Sequence, residues 1–159
     1  MKKLSGVMPA VTTPFRSNGV IDHDMMIARC RHLFSTGCDG INLLGTTGEG
    51  SSVSISERIS LMEEISTAGM EISNFMVSTG TPALGDTLKL THKAVELGFR
   101  NLLVLPPYYF KNLDDDGMAD YFSELVKVAE ACGCQDLSLP YSRVHRIRVH
   151  SRFCQSPSG

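Results

Sequence analysis

The chain has 159 residues, of which 42% are hydrophobic and 20% charged, and its formal net charge is −2. These values predict one soluble domain with a substantial core, and they exclude a general nucleic-acid-binding surface and a membrane span, since no apolar run approaches about 18 residues. The five cysteines lack zinc-ligand spacing and the amino terminus lacks a signal-peptide apolar segment, so we expect reduced thiols in a cytoplasmic protein.

Short apolar runs alternate along the chain with patterns of helical period. The runs predict buried strands at Val7–Val11, Ile41–Leu44, Phe75–Ser78 and Leu102–Leu105. The helical patterns extend from about Asp24 to Ser35, from a capping box at Ser54 and Glu57 to Gly69, from about Asp86 to Leu97, and from Asp114 to near Gly133. Four strand–helix units in series predict parallel strands joined by right-handed crossovers.

Two architectures fit this series, an open doubly wound sheet and a (β/α)₈ barrel. A nucleotide-binding open sheet carries a glycine-rich phosphate motif after its first strand. The first predicted strand here is followed instead by Thr12-Thr13-Pro14-Phe15. We therefore predict an α/β fold that is part of a (β/α)₈ barrel, about its first four βα units, over residues 1–135.

A polar loop, Gly45-Thr46-Thr47-Gly48-Glu49-Gly50, directly follows the second predicted strand. Ligands bind at the carboxyl ends of strands in α/β folds. The glycines permit a tight turn, and the two threonines add hydroxyl groups to the backbone N–H donors. The loop thus predicts a receptor for a small carboxylate, and an ordinary βα turn is the alternative.

An aromatic segment, Pro106-Pro107-Tyr108-Tyr109-Phe110, follows the fourth predicted strand. The prolines stiffen the chain and hold the tyrosines in fixed directions. A tyrosine hydroxyl can orient a substrate or relay a proton. Packing in a core or an interface is the alternative for these aromatic side chains.

Together with other motifs, the two loops carry a family resemblance over most of residues 4–131. The matching segments are Val11-Thr12-Thr13-Pro14-Phe15, Gly19-Val-Ile-Asp22, Asp39-Gly-Ile, Gly45-Thr-Thr-Gly-Glu49, Ser56-Glu57-Arg58, Ser78-Thr-Gly80, Ala94-Val-Glu-Leu-Gly98 and Pro107-Tyr-Tyr-Phe110. In order and spacing they resemble the dihydrodipicolinate synthase / N-acetylneuraminate lyase family of Schiff-base aldolases. The resemblance implies a TIM barrel in which a lysine forms an imine with a 2-oxo acid such as pyruvate.

The resemblance also implies roles for the polar loop. Thr46 corresponds to the hydroxyl that relays protons between two tyrosines. Thr47 corresponds to the residue that holds the carboxylate of the 2-oxo acid, with help from the amides of the loop at Gly45 and Gly48. No metal ion and no organic cofactor are implied, because the lysine imine is itself the electron sink.

For the aromatic segment, the resemblance implies contact between subunits. Tyr109 corresponds to the relay tyrosine that a neighbouring subunit lends across a dimer interface, and Tyr108 is expected to pack at that interface. A homo-oligomer, a dimer or a tetramer, is therefore expected, with a small 2-oxo acid as substrate and neither nucleic acid nor membrane as partner.

Residues 136–159 depart from the family pattern. The family has a Tyr-[Asn/His]-x-Pro motif at the end of its fifth strand and the imine-forming lysine at the end of its sixth, and neither is present; Tyr141 lies in a different context. Residues 136–159 can be back-translated into DNA with freely chosen synonymous codons. When the reading frame is shifted forward by one nucleotide at codon 136, this DNA encodes a strand, a Tyr-His-Ile-Pro motif and a helix start. We interpret 136–159 as a frameshifted, poorly ordered tail on a truncated and inactive lyase.

Other classes of function stay open at this point. The tail holds four arginines and one acidic residue, which fits a basic arm that binds RNA or an acidic partner. The chain could also be a non-enzymatic binding module, or an enzyme that uses different chemistry on the Gly45–Gly50 loop.

Overall fold

The computed structural model describes residues 4–131 and 136–138. The strands are β1 (Ile41–Leu43), β2 (Phe75–Ser78), β3 (Asn101–Leu103) and β4 (Asp136–Ser138). The helices are α1 (His23–Ser35), α2 (Ile55–Thr67), α3 (Leu84–Glu96) and α4 (Asp115–Ala131), with 3₁₀ turns at Gly50–Ser52 and Ile72–Asn74. The strand–helix alternation predicted from the sequence is confirmed over this part of the chain.

The four strands form one parallel sheet in the order β1-β2-β3-β4. Ile41 pairs with Phe75, Val77 with Leu102, and Leu102 with Leu137. A doubly wound sheet reverses its strand order at a switch point, and the described order contains no reversal. Right-handed crossovers between sequential neighbours place every helix on the same side of the sheet, as in a barrel wall.

The strand predicted at Val7–Val11 is not a regular strand in the structure. It is reduced to an isolated parallel bridge between Ala10 and Asn42. The backbone still follows β1, since the Val11 N–H donates to the Asn42 carbonyl at 3.1 Å and the Asn42 N–H donates to the Pro9 carbonyl at 3.0 Å. Pro9 has no N–H to continue the ladder, which explains the interruption.

Local side-chain bonds define where the helices begin. Ser54 and Glu57 form the predicted capping box of α2, with each side chain bonded to the other residue's backbone N–H. Asp22 caps α1 by accepting a 3.0 Å bond from the Met25 N–H. The longest helix, α4, has 17 residues, and within residues 4–131 no helix is long and apolar enough to cross a bilayer.

The core lies between the sheet and the helices and centres on Phe75 of β2. The ring of Phe75 makes edge contacts with Phe34 and Phe99, at centroid distances of 5.3 Å and 6.5 Å. Each helix adds buried side chains, including Met26 and Cys30 from α1, Leu61, Met62 and Ile65 from α2, Leu90, Ala94 and Val95 from α3, and Tyr121, Phe122 and Leu125 from α4. This packing holds the strands in register and so places their carboxyl ends side by side.

Candidate functional site

The Gly45–Gly50 loop leaves β1 through a crowded left-handed turn. Leu44 has a φ of 56° and Glu49 a φ of 54°, which ends the strand one residue earlier than predicted. A Cβ atom on Gly50 would lie 2.0 Å from the Leu44 carbonyl oxygen, so only glycine fits there. The backbone folds back on itself at this point and leaves Thr46 and Thr47 exposed at the tip.

Thr13, from the segment beside β1, anchors the same loop. Its side chain is 5% exposed, and its hydroxyl donates a 2.6 Å hydrogen bond to the Gly48 carbonyl oxygen. Gly48 is buried, and a Cβ atom there would lie 3.0 Å from both the Leu44 nitrogen and the Val11 oxygen. Among the described residues, the carboxylate of Glu49 accepts no hydrogen bond from the loop, so the anchoring bond shown here is the one from Thr13.

The aromatic segment after β3 presents its two tyrosines differently. Tyr108 is 45% exposed and Tyr109 is 77% exposed. The Tyr109 ring meets Phe110 edge-on at 5.6 Å between centroids, and the Phe110 N–H donates to the Pro107 carbonyl at 3.2 Å. Tyr109 therefore points away from the body of the chain, together with Phe110.

A pocket of about 250 Å³ joins the two loops at the carboxyl ends of β1, β2 and β3. Its lining consists of Leu44, Gly45, Thr46, Gly50, Ser51, Ser78, Gly80, Leu105 and Tyr108. None of these nine side chains carries a formal charge at neutral pH. Of the residues predicted to form the site, the structure brings Gly45, Thr46 and Tyr108 together around this pocket.

The remaining candidates occupy neighbouring positions. Thr47 and Gly48 belong to the same loop but do not line this pocket, and Tyr109 lies outside it. Tyr108, expected at a subunit interface, lines the pocket within the single chain. Its place at an interface and the contribution of Tyr109 to a neighbouring subunit stay predictions.

The end of β2 forms a wall of the pocket that was not among the predicted site residues. Ser78 and Gly80 line the pocket, and a Cβ atom on Gly80 would lie 2.6 Å from the Leu105 nitrogen. The two strand ends therefore touch through their main chains. The Ser78-Thr79-Gly80 motif at the end of a predicted strand was the available signal for this wall.

Arg58 of α2 lies behind that wall and was also missed as a candidate. It is 2% exposed, and its guanidinium donates to the Ser78 carbonyl at 2.5 Å and to the Gly80 carbonyl at 3.5 Å. Burial lowers the pKa of Arg58, whereas the nearby Tyr108 and Asp86 act in the opposite direction. Arginine stays protonated in proteins, so a positive charge lies beneath the pocket.

A buried group of hydroxyls supports the same wall from α3 and α4. The Tyr121 hydroxyl donates to the Thr81 carbonyl at 3.2 Å and lies 3.0 Å from the Thr87 hydroxyl. The Thr87 hydroxyl in turn accepts from the Thr81 N–H at 2.9 Å. These bonds tie the segment after Gly80 to two helices and limit its movement.

The described chain offers no ready metal site. Across residues 4–131 and 136–138, no three His, Cys, Asp or Glu side chains gather in a position to hold an ion. The groups at the pocket are hydroxyls and backbone, with the Arg58 guanidinium behind its wall.

Parallel strands in sequential order, with a pocket at their carboxyl ends, define a piece of an α/β barrel. The Dihydrodipicolinate synthetase family matches residues 3–132, and the chain belongs to this family.

Individual relatives agree with this assignment. An uncharacterized DapA-like lyase of Chloroflexus aurantiacus is 40% identical over 126 residues, which is 79% of this chain and 42% of that protein. The crystal structure of dihydrodipicolinate synthase from Agrobacterium tumefaciens is 36% identical and superposes with a TM-score of 0.78 over 84% of this chain and 46% of that one. N-acetylneuraminate lyase of Proteus mirabilis is 31% identical, with a TM-score of 0.76 over 87% and 46%.

The chain thus spans somewhat less than half the length of the relatives it matches. The described elements form a partial (β/α)₈ barrel, about its first four βα units, as predicted from the sequence. Of the predicted tail, 136–159, the structure describes the first three residues, which form β4 (Asp136–Ser138). Residues 139–159 lie outside the described residues.

Proposed function

We propose that this chain carries the 2-oxo-acid-binding part of a lyase or aldolase active site of the dihydrodipicolinate synthase type. In the complete reaction, a lysine amine condenses with the ketone of a pyruvate-type substrate, releasing water, and the protonated imine withdraws electrons from the adjacent carbon as a carbon–carbon bond forms or breaks. The observation that carries the proposal is the pocket that joins Thr46 to Tyr108 at the strand ends.

The pocket suits a small keto acid. Thr46 and Gly45 line the pocket and offer a hydroxyl and a backbone amide, whereas Thr47 carries its hydroxyl on the same exposed tip, beside the pocket. Such groups bind a carboxylate without carrying charge themselves. Tyr108 also lines the pocket, and we propose that its hydroxyl bonds a second oxygen atom of the ligand.

This chain is proposed to bind without completing the reaction. Its six lysines are Lys2, Lys3, Lys89, Lys93, Lys111 and Lys127. None follows the motif at which the family's imine-forming lysine stands, and none of the lining residues is a lysine. We therefore expect binding of pyruvate without imine formation.

Calorimetric titration of the full chain with pyruvate tests the proposal. Thr46→Val and Thr47→Val should each weaken binding about tenfold, since each removes a hydrogen bond to a charged group. Thr67→Val is the matched control, because Thr67 is exposed at the end of α2. Absence of pyruvate binding, or equal affinity of all four proteins, would contradict the proposal.

Borohydride reduction in the presence of pyruvate tests the second part. We expect no site-specific adduct on any lysine of this chain, measured by peptide mass spectrometry. An adduct at a single lysine would show that the chain supplies an imine-forming group of its own.

A second copy of the chain is the proposed partner of the aromatic segment. Tyr109, Phe110 and Leu113 are exposed, and exposed aromatic side chains are common at subunit interfaces. Phe110→Ser should lower the association constant measured by analytical ultracentrifugation, with Phe15→Ser, a second exposed phenylalanine, as the control. A chain that stays monomeric at all concentrations would contradict this proposal.

The tail and the location of the protein are further proposals. Sequencing the gene around codon 136 should reveal a one-nucleotide shift; a reading frame without one would refute the frameshift. Loss of RNA binding on removing residues 136–159 would instead favour a basic arm.

Cys30 and Cys38 are free thiols, which supports a reducing, cytoplasmic location that cell fractionation can check.

A further inference from the structure

We propose that Arg58 makes the pocket selective for anionic ligands by placing a buried positive charge behind its uncharged wall. This inference rests on the proposed binding of a 2-oxo acid and extends it to a residue that does not touch the pocket. Arg58 is thus a positioning and specificity-determining residue rather than a catalytic one.

The wall beside the pocket is formed by the end of β2. Ser78 and Gly80 both line the pocket, and backbone carbonyls near a bound carboxylate repel it. The guanidinium of Arg58 occupies the carbonyl oxygens of both residues, at 2.5 Å and 3.5 Å. Both carbonyl oxygens are therefore bonded to a cation behind the wall, which offsets their partial negative charge near a bound anion.

The positive charge of Arg58 remains behind this wall. Within residues 4–131 and 136–138, no carboxylate forms an ion pair with Arg58, and its Nε is buried without a hydrogen-bond partner. The charged or titratable groups that influence it are Asp86 and Tyr108. A buried cation without a bound counter-ion attracts an anion in an adjacent cavity, because the interior screens charges weakly.

The lining itself supplies no positive charge, since its nine residues include no lysine, arginine or histidine. In the described part of the chain, the groups at this pocket that can select a carboxylate over a neutral group of the same shape are hydroxyls, amides and Arg58. Hydroxyls and amides also bond neutral oxygen atoms, whereas the charge of Arg58 distinguishes an anion from a neutral ligand.

The test compares pyruvate with pyruvamide, its neutral amide, on the full chain. Arg58→Met should weaken pyruvate binding about tenfold and change pyruvamide binding by less than about twofold, both measured by calorimetry. A merely structural role would weaken both ligands alike, and that result would overturn the inference. Arg31→Met is the matched control, since Arg31 also donates to a carbonyl, that of Ala68, at 2.9 Å, and should alter neither affinity.

A second variant and a second measurement cover the case in which Arg58→Met does not fold. Arg58→Lys keeps the charge and should keep the preference for pyruvate. In the unmodified chain, raising NaCl from about 0.05 to 0.5 M should change the ratio of the two affinities by less than about twofold, because a buried charge is poorly screened. Loss of the preference for pyruvate over pyruvamide, either in Arg58→Lys or at high NaCl, would overturn the inference about Arg58. Failure of the unmodified chain to bind either ligand would overturn both this inference and the proposed function.

Discussion

Thr13 and Gly48, 35 residues apart, are joined by a buried 2.6 Å hydrogen bond from the threonine hydroxyl to the glycine carbonyl. This bond connects the segment beside β1 to the loop that carries both candidate threonines. Its loss would leave a buried carbonyl without a partner, which is costly in a protein interior.

Thr13→Val should therefore lower the free energy of unfolding by about 1–2 kcal/mol, measured by urea denaturation. Thr13→Ser retains the hydroxyl, so its free energy of unfolding should fall by less than that of Thr13→Val. If the valine variant proved as stable as the unmodified chain, the bond would not contribute to holding the loop.

Gly50 should tolerate no larger residue. A Cβ atom there would lie 2.0 Å from the Leu44 carbonyl oxygen, so Gly50→Ala must displace the main chain. This substitution should lower the free energy of unfolding by about 2–3 kcal/mol. Gly85→Ala is the control, because Gly85 lies in α3 with open space around it, and alanine favours a helix by up to about 1 kcal/mol. Thermal denaturation of both variants should thus show shifts in opposite directions, and a shift in the same direction would refute the steric argument.

The Tyr121 hydroxyl should stabilise the fold in a pH-dependent way. Burial raises the pKa of Tyr121 above 10.0, partly opposed by its hydrogen bond with Thr87. The unfolded chain therefore releases this proton at a lower pH than the folded chain, and the contribution of Tyr121 to stability falls as the pH rises above about 10.

Tyr121→Phe should lower the free energy of unfolding by about 1–2 kcal/mol at neutral pH, because the bonds to Thr81 and Thr87 are lost. Above about pH 10, the stability of this variant should fall less steeply with pH than that of the unmodified chain. Tyr109→Phe, at an exposed position, is the control and should change neither quantity. Urea denaturation at several pH values measures both effects; parallel curves for Tyr121→Phe and the unmodified chain would contradict the pKa shift.

The thiol of Cys30 should be inert in the folded protein. It is fully buried, and burial raises its pKa to about 12, only partly opposed by the charge of Arg29. Because the thiolate is the reactive form, N-ethylmaleimide should label half-buried Cys38 well before Cys30 at pH 8, as followed by peptide mass spectrometry. Addition of urea should equalise the two rates, and rapid labelling of Cys30 without urea would show that α1 opens readily.

Features that depend on neighbouring residues were predictable from the sequence. The capping box of Ser54 and Glu57 lies within a single helical turn, and β2 coincides with the short apolar run Phe75–Ser78. The strand at Val7–Val11 was wrongly predicted because apolar character alone does not reveal that Pro9 cannot continue a ladder that depends on distant partners.

Only part of the candidate site could be predicted from the sequence. The loop at Gly45–Gly50 was found because its composition is unusual for its position after a strand. The role of Arg58 was hidden, because an arginine in a helical pattern normally faces solvent, and its burial depends on carbonyls 20 and 22 residues further along. The different exposures of Tyr108 and Tyr109 likewise arise from a turn that the sequence letters do not specify.

The close fit of Gly48 and Gly50 against Leu44 restricts how this pocket can be remodelled. Main-chain atoms fill the space around both glycines, so this part of the loop cannot accept new side chains. Ser51 and Leu105, which line the pocket, are the positions at which directed evolution can change the shape of the pocket while the loop backbone stays constant.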